Sequence, residues 1–193
     1  YRKDDHDWKS PGDVVFKLVD IVSKGGNYLL NIGPMADGTV PQASQDVLRA
    51  VGRWLKVNGE AIYGASPTPW GDELGEPSGK GTKTLGGRPM FFPRREYRIT
   101  TKPGKLYFVF FEDPRSVFAL PTMKNAVKRA YRLSDGLPVE VRTVNGRPAL
   151  ALERPAGSVW CTPGLSNPEC PRFIDPMGTT FVVEFEGDKV ERP

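Results

Sequence analysis

Histidine is almost missing from this 193-residue chain, with His6 the sole example, and cysteine occurs only twice, at Cys161 and Cys170. Four zinc ligands cannot be assembled from so few nitrogen and sulfur donors, and the sequence implies no metal and no organic cofactor. No stretch approaches the roughly 18 consecutive apolar residues of a membrane-spanning helix, so no membrane partner is expected. Runs of like charge are missing too. The 27 lysines and arginines are interleaved with 23 acids, for a net charge of +4, and pairs such as Arg94-Arg95 and Lys128-Arg129 are too short to form a basic stripe. The charge reads as a solvated surface, and no nucleic-acid partner is expected. There is no recognisable signal peptide and no initiating Met, which leads us to expect that something upstream of Tyr1 has been removed.

With 38% apolar and 26% charged residues, the composition is that of a globular protein. Glycine and proline, 21 and 19 residues respectively, crowd between 64 and 104 and between 154 and 178, where they predict long turns. Cys161 and Cys170 bracket one such turn-rich loop. They form either a disulfide closing it or two unrelated thiols.

Ser10-Pro11-Gly12-Asp13 combines a capping residue, a proline suited to the first helical position and an early acid. A helix is predicted over 11–24, with Val14, Val15, Leu18, Val19 and Val22 on one face and Gly25-Gly26 as its stop. Tyr28-Leu-Leu-Asn-Ile32 is apolar except for Asn31, the pattern of a strand buried on both faces of a parallel sheet. A second helix follows over about 42–57, with Val47, Leu48, Val51, Trp54 and Leu55 aligned. A lone parallel strand needs neighbouring strands on both sides and helices on both faces, and this chain offers none of the other strands. Residues 1–64 therefore read as the last piece of a larger α/β sheet or barrel.

Beyond a connection over 65–94, the period changes to two. Tyr97–Thr101, Leu106–Phe111, Val117–Leu120, Ala126–Leu133, Val139–Val144, Arg147–Leu152 and Thr179–Phe185 read as antiparallel strands. Asn145-Gly146 is a strong two-residue hairpin signal. The tail, 95–193, is predicted to be a β-sandwich.

Several polar and aromatic residues admit two readings. Asp37 could be a carboxylate on a barrel loop, but Asp-Gly is a common turn pair and the turn is the favoured reading. Asn31, polar in an apolar strand, either hydrogen-bonds an active-site side chain or satisfies backbone at a barrel rim. The pairs Asp72-Glu73 and Glu112-Asp113 resemble glycosidase dyads, yet adjacent side chains point apart and cannot flank one bond. Trp8 and Trp70 could stack on a sugar ring or simply pack.

Leu18-Val-Asp-Ile-Val-Ser-Lys-Gly-Gly-Asn-Tyr-Leu-Leu-Asn-Ile-Gly-Pro-Met-Ala-Asp-Gly-Thr-Val-Pro41, together with Trp54-Leu-Lys-Val-Asn-Gly-Glu-Ala-Ile-Tyr-Gly64, closely resembles the α-L-fucosidases of glycoside hydrolase family 29. The opening Tyr-Arg-Lys-Asp-Asp is similar as well, and 96–186 follows in outline. The resemblance implies the last helix-strand-helix of a (β/α)₈-type barrel followed by an antiparallel β-sandwich. It implies retaining hydrolysis of terminal α-L-fucose by an aspartate nucleophile and a carboxyl acid/base, both upstream of Tyr1. No catalytic residue is thus expected in this chain. Tyr1 and Asn31 would neighbour the fucose site, Asn31 with the loop to Val40 at the barrel's active-site face. The implied partners are a fucosylated glycan and the upstream catalytic segment. A lysosomal, periplasmic or secreted location is in keeping with a Cys161–Cys170 bridge. The competing reading is a non-catalytic carbohydrate-binding or structural β-sandwich retaining a barrel remnant. It is disfavoured by the expectation that both helices would then have bare apolar faces. Another glycosidase on the same architecture, acting on a different sugar, is the third.

Overall fold

A computed structural model describes residues 7–77, 91–114, 116–152, 175 and 177–193. Tyr1, His6, Cys161 and Cys170 lie outside the described residues, as does the question of a disulfide.

Helix α1 spans Pro11–Ser23 and α2 spans Gln42–Asn58. Ser10 caps α1: its Oγ accepts the Asp13 N–H at 3.1 Å, and Pro11 follows in the first turn, where its missing N–H costs nothing. At the other end Gly25 takes φ +76°. The N–H groups of Gly25 and Gly26 donate to the carbonyls of Val22 and Ile21, both at 2.9 Å, closing the helix with paired reverse bonds.

The strands are β1 (Gly75–Pro77), β2 (Phe91–Pro93), β3 (Tyr97–Lys102), β4 (Lys105–Phe110), β5 (Val117–Ala119), β6 (Val127–Arg132), β7 (Pro138–Val139), β8 (Val141–Val144), β9 (Arg147–Ala151) and β10 (Thr179–Phe185). All described pairings are antiparallel. Five strands form one sheet in the order β3-β4-β10-β6-β7, three form a second in the order β5-β9-β8, and β1 pairs with β2. Asn145 and Gly146, at φ 50° and 75°, make the tight turn of the β8–β9 hairpin, a conformation that only residues tolerant of positive φ accept. The single strand expected over Val139–Val144 is divided. β7 joins the larger sheet and β8 the smaller, so the chain changes sheets at Glu140.

Successive side chains on a strand face opposite ways, and the five-stranded sheet uses both faces. Leu106, Phe108 and Phe110 of β4, Ile99 of β3 and Phe181, Val183 and Phe185 of β10 meet Leu120, Leu150 and Leu152 from the side of the smaller sheet. Phe118 fills this interior edge-on, with its ring 4.9 Å from that of Phe110 and 5.0 Å from that of Tyr97, a favourable aromatic geometry. The opposite face presents Tyr107, Val109 and Val182 to Val14, Val15 and Val19 of α1 and to Val51 and Trp54 of α2. The result is three layers: helices, a sheet covered on both faces along β4 and β10, and a smaller sheet.

This arrangement corrects two expectations. The apolar faces of the helices are not bare: the second face of the larger sheet covers them. Nor do Tyr28–Ile32 form a strand, because among the described residues no other segment is in place to share a hydrogen-bond ladder with them. The 65–94 connection carries structure in its described part: a helical turn at Asp72–Leu74, the β1–β2 pair and a bridge from Ser66 to Thr101.

Polar stitches join the layers. Arg98 is wholly buried; its Nε donates to Asp20 Oδ1 at 2.6 Å, and its Nη1 donates to the carbonyls of Glu73 (2.9 Å) and Tyr97 (2.8 Å). Trp54 Nε1 donates to the Gly178 carbonyl at 2.7 Å, and Thr100 Oγ1 donates to Ala61 O at 2.7 Å. Removing one partner of a buried ion pair leaves the other charge uncompensated. Asp20→Ala is expected to cost about 3 kcal/mol in urea unfolding, whereas Asp46→Ala, at an exposed pair with Arg49, should stay within about 0.5 kcal/mol. Equal effects would contradict the role given to Arg98.

Candidate functional site

The segment singled out by sequence runs between the helices. Tyr28 and Leu30 turn inward against the helix and sheet core, whereas Leu29 is 92% exposed and Ile32 41%. The in-and-out alternation is that of a strand, but among the described residues nothing covers its outer side. Asn31 also faces solvent. The expectation that this segment is buried on both faces is therefore corrected.

The loop that follows is closed locally. Asp37 Oδ1 accepts the Thr39 N–H at 3.0 Å and the Thr39 hydroxyl at 2.7 Å, while Met35 N donates to Thr39 O at 2.8 Å. The Thr39 bonds hold the Asp37 carboxyl below its ordinary range. The carboxylate is occupied in shaping the turn, as Asp-Gly suggested.

A larger polar group lies at one end of the five-stranded sheet. Glu60 Oε1 accepts from Tyr107 Oη at 2.7 Å and from Lys105 Nζ at 2.9 Å. Glu184 takes two bonds from Arg129, at 2.7 and 2.9 Å, and one from Tyr131 Oη at 3.3 Å, with Lys105 Nζ at 3.9 Å between the two acids. Hydrogen bonds from Lys105 and Tyr107 lower the Glu60 carboxyl, and that from Arg129 lowers Glu184. Burial, then the Glu60 bond, pushes the Tyr107 phenol up. Among the described residues every carboxyl that is clearly displaced moves downward: Asp13, Asp37, Glu60, Asp135, Glu140 and Glu184. A glycosidase acid needs the opposite displacement, so that it still holds a proton near neutrality.

The remaining candidates are dispersed. Glu112 and Asp113 are both exposed; Asp72 is exposed while its neighbour Glu73 is buried, so neither pair converges. Trp8 is 39% exposed. Trp70 packs against the sandwich interior, with Nε1 donating to the Thr122 carbonyl at 3.2 Å. Among the described residues no group of three His, Cys, Asp or Glu side chains could hold a metal ion, and no helix is long and apolar enough to cross a membrane. Sequence reasoning missed Arg98 and Glu73. For Arg98 a signal existed, an arginine on the helix-facing side of a strand whose helix carries an acid, Asp20, beside Val19. Nothing in the sequence distinguishes Glu73 from Asp72.

Comparison with known proteins shows what this arrangement is similar to. Residues 1–60 match the family model described as Alpha-L-fucosidase. Tissue α-L-fucosidase of Homo sapiens is 49% identical over 69 residues, covering 35% of this chain and 15% of that protein. The α-L-fucosidase of Dictyostelium discoideum is 44% identical over 61 residues, covering 32% and 13%. In structure, α-L-fucosidase isoenzyme 1 from Paenibacillus thiaminolyticus superposes on 96% of this chain with a TM-score of 0.67 and 30% identity. Over residues 1–60 the chain resembles the α-L-fucosidases in sequence, and over nearly its whole length it resembles them in fold. The enzyme from Vibrio sp. strain EJY3, at 23% identity and a TM-score of 0.68 over 99% of the chain, shares the fold. The likeness in structure thus extends through the sheets, well past the residues matched in sequence. The chain spans 37% of the Paenibacillus chain and about 15% of the human relative.

The Glu60 carboxyl, lowered in the folded state, adds stability above its unfolded pKa, and that stability is lost as pH falls through the folded value. Glu60→Gln is therefore expected to unfold at lower urea than the unaltered protein at pH 7. The difference should shrink steadily once the pH drops below about 4.3, the ordinary value of a glutamate. A difference that did not change with pH would contradict the charged pairing.

Proposed function

We propose that this chain is the C-terminal portion of an α-L-fucosidase, a retaining glycoside hydrolase that removes terminal α-linked L-fucose from fucosylated oligosaccharides or glycoconjugates. On this reading residues 1–64 end the catalytic (β/α)₈-type barrel, 65–94 connect, and 95–193 form the C-terminal β-sandwich. The observation that carries it is the match of residues 1–60 to the family at about half identity with the human tissue enzyme. The outward side of Tyr28–Ile32 supports it as well: Leu29 and Ile32 leave an apolar face that the rest of a barrel would cover.

The chemistry belongs to the whole enzyme. An aspartate carboxylate in the preceding part of the polypeptide attacks the anomeric carbon, while a carboxylic acid about 5 to 5.5 Å away protonates the departing oxygen. Water then attacks the fucosyl-enzyme ester, its proton passing to the same acid/base group, and fucose leaves with its configuration retained. Tyr1 and Asn31 stand near the sugar as neighbours of the site, contributing to binding and not to bond cleavage.

A second reading, a sandwich without catalysis, gains support from the covered helix faces, since the described part of the chain has a continuous interior of its own. The two readings differ in one assay. The complete polypeptide should hydrolyse 4-nitrophenyl α-L-fucoside, with the α anomer of fucose appearing first by proton NMR; no hydrolysis would leave the second reading standing. Within the active enzyme, Asp37→Asn should keep kcat within about fivefold, because its carboxylate serves the turn. A loss of about 10⁴-fold, the scale of a lost catalytic base, would instead place Asp37 in the chemistry.

A further inference from the structure

Asn-Gly occurs twice in the chain, at Asn58-Gly59 and at Asn145-Gly146. It is the pair in which the following amide nitrogen most readily attacks the asparagine side-chain carbonyl, because glycine has no Cβ to shield that nitrogen or restrict its approach. Whether the attack happens depends on local freedom and on access of water, and the fold treats the two pairs in opposite ways. Asn58 is 6% exposed, its Nδ2 donates to the Trp54 carbonyl at 3.1 Å, and the Gly59 N–H donates to the Leu55 carbonyl at the end of α2. The Tyr63 ring closes over Gly59. Both reacting groups are thus held by the helix. Asn145 and Gly146 instead stand exposed at the tip of the β8–β9 hairpin, with open space around Gly146. Among the described residues no hydrogen bond ties down the Asn145 amide or the Gly146 N–H.

We propose that Asn145-Gly146 is a site of self-modification, at which Asn145 deamidates through a cyclic imide with water as the only co-reactant. The Gly146 nitrogen gives up its proton and bonds to Asn145 Cγ. The Cγ–Nδ2 bond breaks, and the amide group leaves as ammonia after taking up a proton. Water then adds to one of the two ring carbonyls. Addition at Cγ yields aspartate in an unaltered main chain. Addition at the main-chain carbonyl carbon of Asn145 breaks its bond to the Gly146 nitrogen and leaves an isoaspartyl residue, whose chain runs on through Cβ and Cγ. In sum, an amide and a water become a carboxyl and ammonia, with nothing oxidised or reduced. The hairpin responds differently to the two products. Aspartate before glycine still suits a two-residue turn, and it sets a negative charge beside Arg147, lowering the net charge of +4 by one. Isoaspartate adds a carbon to the main chain of a turn whose flanks, Val144 and Arg147, face each other in the ladder. The tip then opens, while Leu150 of the same strand stays in the sandwich interior.

The test is peptide mapping by mass spectrometry of the complete polypeptide, held at mildly alkaline pH and sampled over days, with electron-transfer fragmentation to tell isoaspartyl from aspartyl. The peptide carrying Asn145 should gain the mass of an amide-to-acid exchange, faster as the pH is raised, with isoaspartyl as the main product. Asn58 must wait for the end of α2 to open, and is expected to convert at least about tenfold more slowly. In urea, with the helix gone, the two should convert at similar rates, which separates protection by the fold from effects of neighbouring residues. Asn145→Gly keeps a turn tolerant of positive φ, so the variant should fold and show no conversion in that peptide. An Asn145 that stays intact in the folded protein throughout, or one that converts no faster than Asn58, would overturn the proposal. The readout requires no cleavage of a fucoside, so it succeeds or fails independently of the proposed activity.

Discussion

The buried ion pair between Arg98 and Asp20 is the contact on which the other parts depend. Arg98 leaves the helix-facing side of β3 with no exposed surface, and one guanidinium reaches α1, the turn at Asp72–Leu74 and the backbone of its own strand. A guanidinium can do this because its planar set of donors serves several acceptors at once, where a lysine would reach one. Phe16 lies under it, with the ring centre 5.0 Å from the guanidinium carbon, adding the attraction of a cation for an aromatic face. A charge so placed ties the helices to the sheet and fixes Glu73 at the edge of the sandwich.

The sheet's double burial follows from the same logic. β10 and β4 carry apolar side chains on both faces, and a sheet apolar on both sides needs a layer on each. The smaller sheet supplies one and the two helices the other. What looks in the sequence like the end of one domain and the start of another therefore shares an interior: Val182 of β10 meets the helices while its neighbours Phe181 and Val183 meet the smaller sheet. In the proposed enzyme this shared layer would hold the final barrel helices in place against the sandwich.

Much of this was legible in the residues. Ser10-Pro11 and Gly25-Gly26 mark both ends of α1 because capping and left-handed termination are local effects. Asn145-Gly146 specifies its hairpin for the same reason, and the period of two locates β3, β4, β6 and β10 to within a residue or so. What escaped was non-local. The apolar Tyr28–Ile32 has the composition of a strand but no ladder partner among the described residues, and composition does not reveal partners. The cover over the helix faces could not be foreseen, because a strand's alternation shows that two faces exist and not what each one meets. Among the polar residues singled out, the Asp37 turn was legible, but not the unequal fates of Asp72 and Glu73, which depend on contacts with β3 made some 25 residues later.

The most direct test of the account is the intact mass, under denaturing and reducing conditions, of the polypeptide from which this chain comes. The account predicts a mass well above the 21.4 kDa of these residues, with a preceding segment able to supply the remaining barrel strands and both carboxyl groups. A mass close to 21.4 kDa, with no second chain accompanying it, would contradict the account and leave the sandwich reading in its place.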